Sequence, residues 1–210
     1  MGKKIKHKED LRVVILEAAK KLFVQDGFDA TSIRKIANEI GISPTTIYLY
    51  YKDKNDIIYA LHQVGFNMLR DLFIPLMSVE DPFERLKALG RNYINFAFSH
   101  TEYYEVMFMM KEPMTFLSEH CESDLWEEGE RVLDLLTHTV IACQEVGYFK
   151  DMSPAVVTMQ VWSSVHGIVT LYVTQHLNKI MHVLEKEEGK EMELVNDCFK
   201  VFIKMIENFK

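Results

Sequence analysis

Hydroxyl-bearing side chains are concentrated in one short stretch of the sequence. They are Ser43, Thr45, Thr46 and Tyr48, and a proline follows the serine directly. A serine hydroxyl caps the start of a helix, and proline is favoured at the first helical position because its missing N–H costs nothing there. The stretch therefore predicts a short helix with small hydrogen-bonding groups near its N-terminus. Such groups suit close approach to base edges and phosphates.

Two further helices are predicted immediately before this one. Apolar residues recur at intervals of three and four from Leu11 to Phe23, and Gly27 ends that pattern. A second apolar repeat runs over residues 33–40, capped by Thr31 or Ser32, and ends at a glycine, Gly41. Two short helices joined by a glycine-containing turn and braced by a first helix form a helix-turn-helix. That arrangement places its second member in a DNA major groove.

The charge of the chain is distributed unevenly. Residues 1–60 carry 11 Lys and Arg against 8 Asp and Glu, a balance of +3. Residues 61–210 carry 13 against 23, a balance of −10, which gives the total of −7. A basic end on an acidic body is expected when only one module touches DNA. The basic run Lys3-Lys4-Ile5-Lys6-His7-Lys8 is also consistent with a simple solvated tail.

The remaining sequence also shows helical periodicity. A fourth helix is predicted from Asp53 to Pro75, and the pair Asp81-Pro82 starts the next. Further helices are expected over about 102–110, 123–146, 154–177 and 190–208, and a charged run at 185–190 separates the last two. The expected fold class is all-α, with a three-helix DNA-binding domain joined to a larger helical domain. The expected boundary gives domains 1–60 and 61–210.

Composition argues against several classes of protein. The three cysteines, at 121, 143 and 198, contain no C-x-x-C pair, and no signal peptide is evident, so a cytoplasmic protein with reduced thiols is expected. We expect no membrane span, that is, no uncharged apolar run near the roughly 18 residues needed. No nucleotide-binding, hydrolase or metalloprotease motif is present, and the eight histidines are scattered. We therefore expect no catalytic activity, no cofactor and no metal site. A metal cluster at 119–122 is a less favoured alternative to a polar loop.

The segment Gly41-Ile42-Ser43-Pro44-Thr45-Thr46-Ile47-Tyr48-Leu49-Tyr50-Tyr51-Lys52-Asp53-Lys54 resembles the DNA-binding signature of the tetracycline-repressor (TetR) family. The preceding run Thr31-Ser32-Ile33-Arg34-Lys35-Ile36-Ala37 fits the same signature, and the resemblance covers about residues 10–60. The sequence differs from the usual family pattern at two positions. Tyr51 stands where the family usually has phenylalanine, and Thr45 stands where glycine is common.

The resemblance implies a set of DNA contacts by position. They are Thr31, Ser32, Arg34, Ser43, Thr45, Thr46, Tyr48, Tyr50 and Lys54. In this set the hydroxyls at 31 or 32 would meet phosphate, Arg34 would reach a base edge, residues 45, 46 and 48 would line the groove, and residues 50 and 54 would hold the DNA backbone. Other interpretations remain open, because Arg34 could pair with a nearby acid, Lys54 could be merely solvated, and the tyrosines could pack in the core.

The larger domain holds a concentration of aromatic and methionine side chains. Because the family's C-terminal domain houses an effector cavity, the resemblance implies a pocket for a small apolar or aromatic effector. The candidate lining residues are Phe96, Tyr103, Tyr104, Met107, Phe108, Trp126, Trp162 and His166. Plain core packing explains the same residues equally well.

The stretch from Trp162 to Leu171 resembles a C-terminal subtype of the family that carries Trp-x-x-x-His-Gly. In such regulators the last two helices pair with their copies across a two-fold axis. The candidate interface residues are Val165, Ile168, Val169, Tyr172, Val201, Met205 and Phe209. An intramolecular core is the alternative, but a homodimer is favoured because one short helix on one half-site rarely gives enough affinity.

The sequence thus predicts a DNA-binding transcription regulator, a repressor released from a palindromic operator by a small effector. One alternative is a helix-turn-helix protein without a small ligand, of architectural or partner-regulated type. Another is a helical ligand-binding protein unrelated to DNA.

Overall fold

The computed structural model of the chain describes residues 8–120, 126–184 and 189–210. Over these residues the regular secondary structure consists of helices, without strands, so the predicted all-α class is confirmed. The α-helices are α1 (Lys8–Asp26), α2 (Ile33–Glu39), α3 (Pro44–Ile47), α4 (Lys54–Phe73), α5 (Pro82–Ser99), α6 (Thr101–Phe108), α7 (Glu112–His120), α8 (Glu127–Glu145), α9 (Pro154–Val173), α10 (His176–Val183) and α11 (Glu191–Glu207). A 3-10 helix, Ile74–Ser78, separates α4 from α5.

Local capping chemistry fixes the starts of several helices. Ser43 and Asp81 have extended backbone conformations, and each precedes a proline at the first helical position. The carboxylate of Asp81 accepts hydrogen bonds from the backbone N–H of Phe83 at 2.8 Å and of Glu84 at 3.0 Å. These bonds satisfy donors that have no partner within the helix.

The helices form two compact units. The first contains the described residues up to Met68 together with those from Glu102 to Glu128, and the second contains Leu69–Thr101 and Gly129–Lys210. In the first unit α1 packs on α2 and α2 on α3. In the second unit α9 packs against α5, α10 and α11. The domain boundary at residue 60 stays a prediction, because the compact units group helices that are distant in sequence.

The structure differs from the predicted helix pattern in two places. The single helix expected over 154–177 is wrong, because α9 ends at Val173 and a separate α10 begins at His176. Between them Gln175 has a φ of +59°, a left-handed conformation uncommon for a residue other than glycine. In addition, α7 forms over a stretch for which no helix was predicted.

The expectation that no long uncharged apolar run exists was also wrong. Helix α9 is 20 residues long and is apolar enough to cross a membrane by length and composition. Only 33% of its most apolar window is buried within the chain. A core helix of a water-soluble protein can have the same length and composition, so these two properties do not identify a membrane span. Helix α9 is thus an apolar helix that is only partly buried within the chain.

Some predicted features fall on residues outside the described ranges. They are the basic run at 3–8 except for the backbone of Lys8, the Cys121 and Glu122 members of the alternative metal cluster, and most of the charged run at 185–190. Among the described residues no group of three metal-binding side chains occurs. Cys143 and Cys198 are free thiols, and burial raises the pKa of Cys143 to about 12.

Candidate functional site

The turn and the third helix of the predicted helix-turn-helix are built by local hydrogen bonds. Gly41 has a φ of +69°, which lets the chain turn sharply after α2. The Ser43 hydroxyl accepts from the backbone N–H of Thr46 at 3.2 Å, and its oxygen lies 2.8 Å from the Thr46 hydroxyl. The Ser43 side chain is exposed but already serves as the N-cap of α3. It therefore positions the short helix and keeps at most part of its hydrogen-bonding capacity for a ligand.

The short helix has one buried face and one exposed face. Ile47 and Tyr51, four residues apart, are 0% and 2% exposed. Thr45 and Leu49, also four residues apart, lie on the opposite face, where Thr45 is exposed and Leu49 is 72% exposed. Between these faces Tyr48 is 56% exposed. Residues i and i+4 share a helical face, so Thr45 and Leu49 lie together. We call these two residues and the adjacent, exposed Tyr48 the outer row.

Leu49 is the residue of this row that the sequence analysis did not select. The spacing of four from Thr45 is a signal that could have found it. Its backbone N–H donates to the carbonyl of Thr46 at 3.3 Å, so the helical path continues past the end of α3. The outer row therefore extends past the end of α3 as far as Leu49.

Residues 31, 32 and 34 have different positions from one another. Thr31 is 1% exposed, and its hydroxyl donates to the carbonyls of Leu22 at 3.1 Å and Gly27 at 2.9 Å. The predicted phosphate contact of Thr31 is therefore corrected, because a buried hydroxyl with two internal acceptors cannot reach DNA. Ser32 is exposed and caps α2, accepting from the N–H of Lys35 at 3.2 Å. Arg34 is exposed and makes no ion pair within the described part of the chain, so the internal pairing considered for it does not occur.

Arg12 on α1 contacts Tyr50 and Tyr51, two aromatic residues that follow α3. The Tyr51 ring is buried beneath the Arg12 guanidinium, which lies 5.1 Å from the ring centroid. Burial raises the pKa of Tyr51. Arg12 also donates to the carbonyl of Tyr50 at 3.4 Å, and the Tyr50 side chain is half-buried. Tyr51 is thus a core residue, one of the alternatives left open for the tyrosines, whereas the DNA contact of Tyr50 stays a prediction.

Lys54 has an internal partner in addition to its predicted role. At the start of α4, Asp53 accepts from the N–H of Asp56 at 2.9 Å, which caps the helix. The Lys54 ammonium donates to the carbonyl of Phe28 at 2.6 Å and lies 4.0 Å from the centroid of that ring. The side chain thus joins α4 to the loop between α1 and α2. Two ammonium hydrogens remain for a phosphate, so the DNA contact stays a prediction.

The predicted pocket residues are divided between the two units. In the first unit Tyr103, Tyr104 and Met107 are buried, and Phe108 and Trp126 are half-buried. In the second unit Phe96 is buried, whereas Trp162 and His166 are half-buried. A shared pocket lined by all eight residues stays a prediction.

Within the second unit, three polar aromatic groups form a hydrogen-bonded chain. The Tyr93 hydroxyl lies 2.7 Å from Nδ1 of His166 and accepts from the indole N–H of Trp162 at 3.3 Å. Burial lowers the pKa of His166, which favours the neutral form of its ring. Trp162 and His166 therefore face Tyr93 on α5 together, as their spacing of four implied.

Within the first unit, Tyr103 connects α6 to α1. Its hydroxyl donates to Glu17 at 2.8 Å, and the ammonium of Lys20 lies 2.7 Å from the same carboxylate. That ammonium also lies 4.0 Å from the Tyr103 ring centroid and 3.6 Å from Glu102. Lys20 is only 7% exposed, so the cation of this ion cluster is largely shielded from water. The cluster fixes α6 on the helix that braces the helix-turn-helix.

The last long helices present an apolar surface. On α11, Val201 is 57% and Met205 is 62% exposed, and Phe209 just beyond the helix is exposed as well. On α9 the exposed row is Val156, Met159, Ser163, Gly167 and Leu171. We call these residues of α9 and α11 the α9–α11 face.

The predicted interface residues on α9 need a correction. Val165 is 7% and Val169 is 0% exposed, so both pack inside the chain and cannot meet a partner subunit. Ile168 and Tyr172 are half-buried, and the ring of Tyr172 lies 4.4 Å from that of Phe98. The exposed side of α9 is instead the row that contains Gly167, where an added Cβ would contact nothing within 4 Å in the described ranges of the chain.

Comparison with known proteins identifies both halves of the chain. Residues 15–61 match the family described as "Bacterial regulatory proteins, tetR family", and residues 86–189 match "Tetracyclin repressor-like, C-terminal domain". The fatty acid metabolism regulator protein of Bacillus subtilis is 35% identical over 57 residues. That match covers 27% of this chain and 29% of the relative. The chain thus spans less than a third of the length of this curated relative.

Solved structures share the fold over nearly the whole chain. A bacterial regulatory protein of the tetR family from Rhodococcus RHA1 has a TM-score of 0.72 at 16% identity, covering 93% of this chain and 96% of its own. The transcriptional regulator FadR from Bacillus subtilis, solved in complex with stearoyl-CoA, has a TM-score of 0.66 at 16% identity, covering 91% and 97%. At this identity the likeness concerns the fold alone. The Trp-x-x-x-His-Gly subtype stays a prediction.

Proposed function

The chain belongs to the TetR family of bacterial regulatory proteins, and from this premise we propose that it is a DNA-binding transcriptional regulator. The observation that carries the proposal is the outer row of α3. Helix α3 and the turn after it fix Ile47 and Tyr51 in the core and expose Thr45, Tyr48 and Leu49. We call this short DNA-recognition unit, residues 44–51, the reading head. A major groove about 12 Å wide admits such a helix.

The proposed contacts follow from exposure. The outer row lines the groove together with Thr46, Arg34 reaches a base edge or phosphate from α2, and Ser32 brings the N-terminus of α2 toward phosphate. Thr31 is not part of this set, because it is buried. Leu49 adds an apolar contact, and the thymine 5-methyl group is the apolar feature that the major groove offers. We therefore expect an operator that carries thymine where Leu49 reaches the bases.

The protein is proposed to act as a homodimer through the α9–α11 face. Exposed valine, methionine and phenylalanine on two adjacent helices favour burial against a second copy. The small residues Ser163 and Gly167 in the same row allow close approach of a partner helix, since an added Cβ at Gly167 would meet no atom of the described residues within 4 Å. Two reading heads related by a two-fold axis match half-sites about 34–36 Å apart. The operator is therefore expected to be palindromic.

The regulator is further proposed to release its operator on binding a small apolar effector, as a repressor in the cytoplasm. The FadR structure named above contains stearoyl-CoA, and the first unit of this chain contains a cluster of aromatic rings. A ligand that favours the unbound geometry by about 1–3 kcal/mol weakens DNA binding roughly 5- to 150-fold.

The deciding experiment is selection of duplexes from a random pool by the full-length protein. We expect enrichment of a palindrome, and a band shift that loses affinity steeply as salt rises. A matched variant with Thr45→Glu and Tyr48→Glu on the outer row should select nothing, whereas Met114→Glu, which changes an exposed methionine on α7, should select the same palindrome. Absence of any enriched sequence with the unmodified protein would overturn the proposed function.

A further inference from the structure

His62, on α4 in the first unit, is a buried polar side chain with one nitrogen left without a partner. The residue is 1% exposed, and Nδ1 has no hydrogen-bond partner among the described residues. Buried polar atoms in native proteins are nearly always hydrogen-bonded, and the exceptions call for an explanation. No DNA contact and no interface residue proposed above involves His62.

The hydrogen bond on the other ring nitrogen fixes the position of the proton. The indole N–H of Trp126 points to Nε2 of His62 at 3.3 Å. An indole nitrogen only donates, so Nε2 must be the bare acceptor nitrogen. Burial lowers the pKa of His62 to about 4, so the ring is neutral at physiological pH. The one remaining proton therefore lies on Nδ1, which is a buried donor without an acceptor.

The surroundings of this donor are aromatic. The centroids of the Tyr59, Phe66 and Trp126 rings lie 6.0, 4.8 and 6.2 Å from that of His62. A second layer follows, because Phe116 lies 5.1 Å from Tyr59 and Phe108 lies 5.4 Å from Phe66. Tyr59, Phe108, Phe116 and Trp126 are only half-buried, so solvent reaches the outer side of this cluster. The aromatic rings can contact the apolar part of a ligand. The Nδ1–H group of His62 can donate one hydrogen bond to a polar atom of that ligand.

We propose that this cluster binds a small, uncharged, apolar molecule through a carbonyl oxygen that accepts the hydrogen bond of His62 Nδ1–H. A carbonyl oxygen accepts without needing to donate, which matches a lone N–H donor. A carboxylate is disfavoured, because a charge among aromatic rings loses its hydration without a cationic partner while His62 is neutral. Esters, thioesters, ketones and lactones share the required chemistry. The inference rests on the proposed function in one respect, since it takes this molecule to be the effector.

The test compares two probes that share one carbon skeleton. Acetophenone carries a carbonyl oxygen on that skeleton, and ethylbenzene carries no hydrogen-bond acceptor. The full-length protein contains two tryptophans, so Trp162→Phe leaves Trp126 as the fluorescent reporter. We expect Trp126 fluorescence to report acetophenone binding at least tenfold tighter than ethylbenzene. His62→Phe should remove this preference while keeping the fold, and His166→Phe, which changes a histidine in the second unit, should retain it.

Two further measurements separate the site from the proposed function. Long-range ¹H–¹⁵N spectra of histidine should show a protonated Nδ1 and a bare Nε2 for His62 in the ligand-free protein, and acetophenone should shift that Nδ1 signal. Acetophenone should also release the selected operator from the unmodified protein and not from His62→Phe.

Several outcomes would overturn the inference. Equal affinity for the two probes, binding of neither, a preference that survives His62→Phe, or a proton found on Nε2 would each remove the carbonyl site. A protein that still selects its palindrome under any of these results keeps the proposed function. Conversely, a carbonyl preference in a protein that selects no duplex would leave the site and refute both the regulator and the effector role.

Discussion

Leu49 provides the sharpest test of how the outer row meets DNA. The side chain is 72% exposed, so most of its surface is available for burial against the groove. Full burial of a leucine is worth about 1.5–3 kcal/mol, which gives about 1–2 kcal/mol for this contact. Leu49→Ala should therefore weaken operator binding roughly 5- to 30-fold for each half-site. The change should leave the free energy of unfolding nearly unaffected, because the side chain packs little within the chain.

The chemistry of the contact can be isolated with modified DNA. Replacing thymine by deoxyuridine at single operator positions removes only the 5-methyl group, worth about 0.8 kcal/mol, or about fourfold in affinity. We expect one position in each half-site to show this decrease, and the decrease should disappear in Leu49→Ala when equilibrium band shifts are compared as a double-mutant cycle. Met114→Ala, which shortens an exposed side chain on α7, is the control and should change nothing. Independent, additive decreases from the two changes would refute the methyl contact.

Three other predictions concern the interface, the ammonium of α4 and pH. Val201→Asp should convert dimers to monomers in sedimentation velocity and abolish operator binding, because it places a charge in the apolar α9–α11 face. Val183→Asp, at an exposed site on α10, is the control and should leave dimers intact. Lys54→Met should lower the slope of log affinity against log salt concentration by about 0.9 for each phosphate that the ammonium neutralises. It should also lower the melting temperature, because the hydrogen bond to Phe28 is removed. An unchanged slope would restrict Lys54 to the structural role. The folded pKa of His62 is about 4, whereas the unfolded side chain titrates at about 6.5. As pH falls through this range the unfolded chain binds the proton first, so the free energy of unfolding should decrease by up to about 3 kcal/mol. Chemical denaturation at pH 7 and pH 4.5 should show this slope in the unmodified protein and a smaller one in His62→Phe.

The helix-turn-helix was predictable because its determinants are local. Ser43 and the proline after it start α3 by capping, and they influence only the next few residues. Gly41 adopts the positive φ that the turn before them requires. The same holds for Asp81 and α5. Patterns of this kind do not depend on what packs against the helix, so the sequence predicts them before any tertiary contact is known.

Predictions failed where tertiary packing decides the outcome. Helix α9 has apolar residues around most of its circumference, so periodicity could not tell that Val165 and Val169 face the core while Gly167 faces outward. The break between α9 and α10 passes through Gln175 without glycine or proline to mark it. Thr31 has the residue type of a phosphate contact, and only the three-dimensional structure shows its hydroxyl bonded to the carbonyls of α1 and the following turn. His62 is one of several polar residues on the amphipathic helix α4, and residue type gives no hint that one of its nitrogens is unpaired.

The position of His62 on α4 bears on how an effector would reach the reading head. Three residues later, Gly65 admits α6 so closely that an added Cβ would lie 2.5 Å from the sulfur of Met107. Helix α6 is in turn bonded to α1 through Tyr103 and Glu17, and the first residue of α4, Lys54, is bonded to the loop between α1 and α2. A ligand that displaces α4 near His62 must therefore strain two separate attachments of the helix-turn-helix, one through α6 and one through Lys54. Because both attachments include charged hydrogen bonds that are partly shielded from water, neither yields at small cost, and the reading head is expected to move with α4 instead of staying in place.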